Sequence, residues 1–368
     1  MKFNFRMPTR IFFGQHCVTE HSGDMAVLGK RALIVTGGSS SKKNGSLDDV
    51  ISALNKEGIS YEIFDQVEQN PSLNTVYQGG GQARKLQADF IIGIGGGSPL
   101  DAAKAVAILA VNDITPEELM AKNWVKDPLP VVAVPTTAGT GSEVTPYAVL
   151  TVDWAETKLT ITGEKLFPVV SYLDGRYMLG LPWQVTVNTA VDALSHSIEG
   201  YLTKRATVIT DLLALESIGT IGRLLRTMDP QHITISQREE LLYGSLLAGM
   251  VIAQTTTTFV HGLGYPLTYY KGLPHGLANG ILLKSSLAFI ARAVPERVQR
   301  VIEALGCGDL QEVGELLQRV LTPVQLKLTA EELAFYAAKA MRSKNLANCF
   351  QPPSAEDLQW ILADSGLV

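Results

Sequence analysis

The sequence predicts an α/β N-terminal domain followed by an all-α C-terminal domain. Two observations carry this. Through the first half, short β-branched runs alternate with helically spaced apolar residues, the pattern of a parallel sheet covered by helices. From about Leu181 the strand-like runs stop and only helical spacing continues. The boundary falls in Leu179-Gly180-Leu181-Pro182, which divides the chain into residues 1–180 and 181–368.

In order along the chain, Arg31–Thr36 (RALIVT) reads as a buried strand that runs into Gly37-Gly38. Leu47–Lys56 carries apolar residues at 47, 50, 51 and 54, a helical spacing. Tyr61–Phe64 reads as a second strand and Ser72–Leu86 as a helix. Phe90–Ile94 is a third strand, followed by a glycine turn and a helix over Leu100–Ala110. Val131–Val134 is a fourth, stopped by Pro135. Beyond the boundary, Val185–Tyr201, Thr210–Leu225, Glu239–Thr255, Val294–Leu305, Thr329–Met341 and Ser354–Asp364 are helical by spacing. Ser354 begins the last as an N-cap with acids in the first turn.

Length and composition agree with two folded domains. The chain has 368 residues, 46% hydrophobic and 18% charged, which excludes a disordered polymer. The formal net charge is −5 and no Lys/Arg stripe appears, so no nucleic-acid partner is expected. The three cysteines, Cys17, Cys307 and Cys349, are far apart and form no CxxC pair, as in a reducing compartment. Met1 to Arg10 alternates Phe with Lys, Asn and Arg instead of presenting the apolar run of a signal peptide. Gly, Pro or charge interrupts the most apolar segments well before the ~18 residues of a membrane span. The expectation is a cytoplasmic protein without a membrane partner.

Two turns at strand ends point to a bound phosphate. Gly93-Ile94-Gly95-Gly96-Gly97-Ser98-Pro99 lies between a strand and a helix, where glycine lets backbone approach an anion and the helix N-terminus supplies free N–H groups. Pro99 suits the first helical turn and Asp101 follows within it. The run is not a full GxGxxG, because its third glycine would fall on Ser98, and a bare βα turn has the same look. Pro135-Thr136-Thr137-Ala138-Gly139-Thr140-Gly141-Ser142-Glu143 also follows a strand, and its small hydroxyls suit a pyrophosphate and ribose as well as an ordinary loop. A third turn, Gly37-Gly38-Ser39-Ser40-Ser41-Lys42-Lys43, carries no acid until Asp48. An acid there would take a ribose 2′-hydroxyl and repel a 2′-phosphate; glycine leaves room, and Ser39 and the lysines can donate. That favours NADP(H), against the alternative of a solvated Ser/Lys loop.

Three of the six histidines, with one aspartate, fall in blocks that together suggest one site. Asp192 and His196 are four apart on a predicted helix and project from one face. His261 and His275 are each followed by glycine, which would let backbone pack close to a site. An i,i+4 Asp/His pair also occurs as a surface pair, and lone histidines also occur as core or turn residues. As one set, a carboxylate and three imidazoles suit Fe(II), Zn(II) or Mn(II), and spacing does not choose among them. With no cysteine in the set, a structural thiolate zinc site is not expected. His16, His21 and His232 lie in polar segments and are expected at the surface.

The blocks MPTRIFFG, GGGSPLDAAKA, PTTAGTGSEVTPY, DALSHSIEGY, GMVIAQ, HGLGYPL and LPHGLANG, in this order, closely resemble those of the iron-containing (group III) alcohol dehydrogenases, nearly from end to end. The resemblance implies a dehydroquinate synthase-like fold, with a dinucleotide-binding α/β domain and an all-α metal-binding domain. It puts the metal ligands on Asp192, His196, His261 and His275, with Fe(2+) the expected ion and Zn(2+) the alternative. Its cofactor-contacting positions fall on Gly37, Asn70, Gly95, Gly96, Gly97, Ser98, Asp101, Thr136, Thr137, Thr140, Lys158 and Leu179. Members with an acid at the Gly37 position typically use NAD(H) and those with glycine accept NADP(H), which agrees with the charge argument.

The implied activity is hydride transfer between NADP(H) and a small or medium-chain primary alcohol or its aldehyde, with the metal as Lewis acid on the substrate oxygen. Homodimers or larger homo-oligomers are implied too. One departure concerns the second histidine that many members carry four residues after the third ligand. Here that position is Tyr265, whose hydroxyl can relay a proton but does not titrate near neutral pH. Tyr147, Ile252, Phe259 and Cys349 are candidates for the substrate wall or for plain core packing. A glycerol dehydrogenase-like polyol oxidoreductase or a dehydroquinate synthase-type lyase would share fold and metal, but the DALSHSIEGY and PTTAGTGSE blocks favour the alcohol dehydrogenases. A nucleotide-binding protein with a structural ion and no chemistry is the reading from another class, and the complete ligand and cofactor motifs argue against it.

Overall fold

A computed structural model describes residues 2–367. They form two compact units. One comprises Met7–Gly180 with Thr234–Leu242; the other comprises the residues before Met7, Leu181–Ile233 and the chain from Tyr243 onward. The division at Gly180/Leu181 is therefore crossed by two short segments that a linear split of the sequence does not anticipate. Thr234–Leu242 joins the α/β unit through side-chain contacts: Gln15 Nε2 donates to Glu239 Oε1 at 3.0 Å, and Glu239 packs on Gly175.

The α/β unit is built on eight strands: β1 Arg10–Phe13, β2 Arg31–Thr36, β3 Ser60–Phe64, β4 Phe90–Gly95, β5 Val131–Pro135, β6 Tyr147–Val152, β7 Thr157–Thr162 and β8 Val170–Leu173. Six of them form a parallel sheet in the order β1-β8-β5-β4-β2-β3. β6 and β7 form a separate antiparallel hairpin. The central strands are buried on both faces, which is why they read as continuous apolar runs. Leu33, Val35 and Ile91 face one core with Val76, Ala103 and Val106, while Ala32, Ile34 and Ile92 face the other with Val50 and Leu54. The helix after the glycine turn starts earlier than its apolar spacing indicates, at Gly97, and runs to Leu109 with Gly96 as N-cap.

The second unit is helical. Its longer helices are Trp183–Tyr201, Val208–Thr227, Phe259–Lys271 and His275–Ile290, followed by Pro295–Ala304, Leu310–Val320, Ala330–Ala340 and Ala355–Leu362. Ile235–Thr255 completes the helical half of the chain. Thr207, Thr329 and Ser354 each close a capping box, so these helix starts are fixed locally by side chains. Among the described residues no single helix is long and apolar enough to cross a membrane. The pair Ile235–Thr255 and Phe259–Lys271, which reaches that threshold only jointly, is bent by 110°.

Candidate functional site

The helical unit brings the predicted metal residues together. Every residue from Ala190 to Tyr201 is buried, so the Trp183–Tyr201 helix carries Asp192 and His196 into the core on one face. Asp192, His261 and His275 each offer one donor atom, and these atoms lie within 4.8 Å of one another. Asp192 Oδ1 is 3.7 Å from His261 Nε2 and 3.8 Å from His275 Nε2. His196 stands against this trio, its ring stacked on that of His261 with centroids 4.6 Å apart, and is not itself one of the three converging donors. Tyr265, one turn after His261, stacks on the His275 ring at 5.4 Å and meets His261 edge-on at 6.5 Å. It is half-buried, while His261 is buried. His16, His21 and His232 are exposed.

Two residues outside the predicted set hold the cluster. Asn279, one turn beyond His275, donates from Nδ2 to Asp192 Oδ1 at 3.1 Å. Glu199, seven residues after Asp192 on the same helix face, is fully buried and hydrogen-bonds to His261 Nδ1 through Oε2. Burial works against its charge, but the neighbouring imidazole and the donors of Thr258 outweigh it and hold the Glu199 carboxyl below its usual range. The sequence signal for both was available: Glu199 is the third polar residue in the row of Asp192 and His196, and Asn279 stands one turn after His275. A buried carboxylate among imidazoles, with no thiolate, fits a divalent first-row metal. Of the proposed substrate wall, Phe259 is a core residue set edge-on against Phe289 at 5.7 Å. Ile252 and Cys349 are buried as well, and Tyr147 lies in the α/β unit at the start of β6.

In the α/β unit the predicted cofactor residues gather along one sheet edge, because β2, β4, β5 and β8 are parallel and their following loops emerge together. Gly95 has φ +147°, and a Cβ there would lie 2.6 Å from Pro99. A Cβ on Gly97 would meet Thr140 at 2.6 Å and one on Gly96 would meet Thr137 at 3.1 Å, so the glycine turn and the hydroxyl loop pack directly on each other. Thr136 N–H donates to Gly95 O at 2.9 Å. Gly96 caps its helix with no side-chain bond, which leaves N–H groups for a phosphate. Asn70, at φ +59°, donates its N–H to Ser98 Oγ at 3.1 Å and accepts at its carbonyl from Thr151 Oγ1 at 2.9 Å. Thr151 pairs with Lys158 across the hairpin. These contacts make a cradle that fits a dinucleotide. Leu179 follows β8 after a short turn and is half-exposed. Gly38 and Ser39 are exposed beside half-buried Gly37. Lys42 pairs with Asp65 at 2.6 Å.

Asp101 has a structural job in this cradle. Its Oδ1 accepts from Ser142 Oγ at 2.6 Å and its Oδ2 from Val149 N–H at 3.0 Å, tying the glycine helix to the loop. Buried Lys104 donates to Ser142 O, Ser142 Oγ and Tyr147 O, each at 2.7 Å. Glu143 is buried beside them, its Oε1 without a hydrogen-bond partner among the described residues, and burial, only partly offset by a backbone hydrogen bond and by Lys104, pushes its carboxyl up to about 7. Unfolded, the same group ionises near 4.5, so between those values the folded chain keeps a proton the unfolded chain has lost. Stability therefore falls as pH rises through this window. Glu143→Gln should flatten that slope, leaving the variant more stable than the parent at pH 8 by on the order of 1–2 kcal/mol. Urea unfolding at pH 5 and pH 8 checks it, and parallel pH trends for both proteins would contradict it.

One unit thus holds a carboxylate–imidazole cluster suited to a metal ion, and the other a pair of glycine and hydroxyl turns suited to a dinucleotide. Residues 8–175 match the family model of the iron-containing alcohol dehydrogenases, and residues 186–366 match the C-terminal model of the same family. The 1,3-propanediol dehydrogenase of Klebsiella pneumoniae is 36% identical over 307 residues, 83% of this chain and 79% of that one. The solved structure of an iron-containing alcohol dehydrogenase from Thermotoga maritima superposes with a TM-score of 0.91 at 43% identity, covering 99% of each chain. The chain belongs to the iron-containing alcohol dehydrogenase family. It is a metal-dependent enzyme of alcohol and aldehyde oxidoreduction that uses a nicotinamide cofactor. The matched relatives include both an NADPH-dependent butanol dehydrogenase and an NAD-dependent methanol dehydrogenase, so membership alone leaves the choice of dinucleotide to this chain's own residues.

Proposed function

We propose that this chain interconverts a small or medium-chain primary alcohol and its aldehyde, preferring NADP(H), with Fe(2+) held by Asp192, His196, His261 and His275 and Zn(2+) as the alternative ion. The observation that carries the metal reading is the convergence of donors from buried Asp192 and His261 and half-buried His275 within 4.8 Å. When bound, the ion supplies Lewis acidity toward the substrate oxygen and the nicotinamide supplies or accepts the hydride. The chain's residues do the rest. Asp192 and the imidazoles bind and orient, Asn279 steadies the Asp192 carboxylate, and the surrounding core excludes water. Tyr265, half-buried against both histidines, is the group to pass a proton through its hydroxyl. The glycine and hydroxyl turns, with Gly37, Gly38, Ser39, Asn70, Gly95, Gly96, Gly97, Ser98, Asp101, Thr136, Thr137, Thr140, Lys158 and Leu179, are the cofactor-binding positions of this reading.

The preference for NADP(H) rests on Gly37. A Cβ there would stand 3.3 Å from Val67 O, so a side chain fits only with a slight adjustment. Gly37→Asp should lower kcat/KM for NADPH by at least about 10-fold relative to NADH, because a carboxylate at the ribose repels a 2′-phosphate. An unchanged NADPH/NADH ratio would remove the basis for the preference. The whole reading is tested by anaerobic reconstitution with Fe, Zn, Mn and Ni, assayed with both dinucleotides against an alcohol and aldehyde panel. Fe(2+) with NADP(H) should give the highest turnover. Three buried cysteines without a disulfide support a cytoplasmic setting. Edge strand β1 supports a homodimer or larger assembly paired along it.

A further inference from the structure

Glu199 takes part in no step of the reaction outlined above, yet it is one of the most fully enclosed charges in the chain. Its Oε1 accepts from Thr258 N–H at 2.8 Å, Thr258 Oγ1 at 2.7 Å and Val260 N–H at 3.1 Å. The N–H groups belong to the start of the Phe259–Lys271 helix, whose positive end favours an anion. These three donors fix one oxygen and aim the other, Oε2, at His261 Nδ1. A carboxylate in this place can only accept, so the Nδ1 position must carry the ring proton. The lone pair is then left on Nε2, which faces Asp192 Oδ1 at 3.7 Å.

We propose that Glu199 is the positioning residue that makes His261 a ligand, by holding its proton on Nδ1 and adding a second negative charge to that of Asp192. The inference rests on the metal reading above. The two carboxylates together match the charge of a divalent ion, while only Asp192 reaches the converging donors. Outer partners of this kind typically govern ligand tautomer and metal affinity.

Glu199→Gln keeps the size and cannot keep the arrangement. With its oxygen toward Thr258 and Val260, its NH2 group faces Nδ1 and drives the ring proton to Nε2, where it blocks ligation. Turned over, the NH2 group meets backbone N–H donors. The test uses Co(II) as the probe, with its dissociation constant measured by chelator competition, alongside ring ¹⁵N NMR of His261 in the metal-free protein. E199Q should fold and bind Co(II) roughly 10- to 100-fold more weakly, with its His261 proton shifted to Nε2. A purely structural role would lower the unfolding midpoint and leave affinity and tautomer unmoved, which overturns the proposal. If E199Q does not fold, the parent spectrum decides: a His261 ring without a proton on Nδ1 overturns it, and a proton there upholds it. A parent chain that takes up no Co(II) overturns the metal reading itself; a parent that binds beside an E199Q that binds equally well overturns only the role of Glu199.

Discussion

Asp192→Ala should abolish stoichiometric uptake of a divalent ion and lower kcat/KM with an aldehyde and NADPH by at least about 10³-fold, a barrier change of about 4 kcal/mol. Asp192 is the one carboxylate among the three converging donors, and it sits between two imidazole nitrogens at 3.7 and 3.8 Å. Without it imidazoles alone remain as ligands, because the carboxylate that is left, that of Glu199, reaches His261 Nδ1 and not the converging donors. Plasma emission on the purified variant gives the metal content, and steady-state assays give the rate. A variant that holds one ion per chain and turns over at the parent rate would show that the ion's ligands lie elsewhere.

The second large effect is expected from a single methyl group. Gly276 follows His275 at the start of the His275–Ile290 helix, and a Cβ built on it would lie 1.7 Å from the carbonyl oxygen of Asn188 and 3.1 Å from Asp192 Cβ. The obstacle is the backbone of the helix that carries Asp192, so it cannot swing aside as a flexible side chain would. Gly276→Ala must push the two helices apart and so separate His275 from Asp192. The expected destabilisation is about 3 kcal/mol or more, above the usual range for overpacking. Divalent-ion affinity should fall with it. The control is Gly272→Ser, at a position with open space but φ +66°, where only backbone strain of about 1 kcal/mol is expected. Denaturant unfolding of the three proteins makes the comparison. Equal midpoints for Gly276→Ala and the parent would mean that the helices can separate freely and that this close approach does not define the site.

The legible parts of the fold are those whose information is local. RALIVT marks β2 to the residue, and the capped helices after Thr329 and Ser354 begin where their side chains say they should. The missed elements have physical reasons. β1 and β8 have four residues each, too few to show a period. The β6–β7 hairpin turns through Glu156 at φ +48°, without the Asn-Gly or Asp-Gly signal that announces such turns. Phe259–Lys271 contains Gly262, Gly264 and an internal Pro266, residues that argue against a helix until tertiary packing overrides them. His275–Ile290 is buried on nearly all sides, so no polar face marks its period.

At the site, sequence reasoning found residue types and missed relationships. Asp192, His196, His261 and His275 could be named, but that three of them converge while His196 stacks on His261 required the packing of three helices. Glu199 and Asn279 escaped because each looks like one more polar residue on a helix. Their roles come from a partner that is distant in sequence, 62 residues away for Glu199 and 87 for Asn279. On the nucleotide side the sequence reads the glycines as places where backbone approaches a phosphate. The approaching atoms turn out to include the chain's own Pro99, Thr137 and Thr140.

The central claim is that one divalent ion sits among these side chains, and anomalous diffraction at the iron edge from crystals loaded anaerobically with Fe(2+) tests it most directly. The account predicts a single peak per chain at about 2.0–2.2 Å from an Asp192 oxygen and from nitrogens of His261 and His275, with His196 as the fourth ligand. A peak at any other place, or no peak in crystals whose protein still oxidises NADPH with an aldehyde, would contradict it.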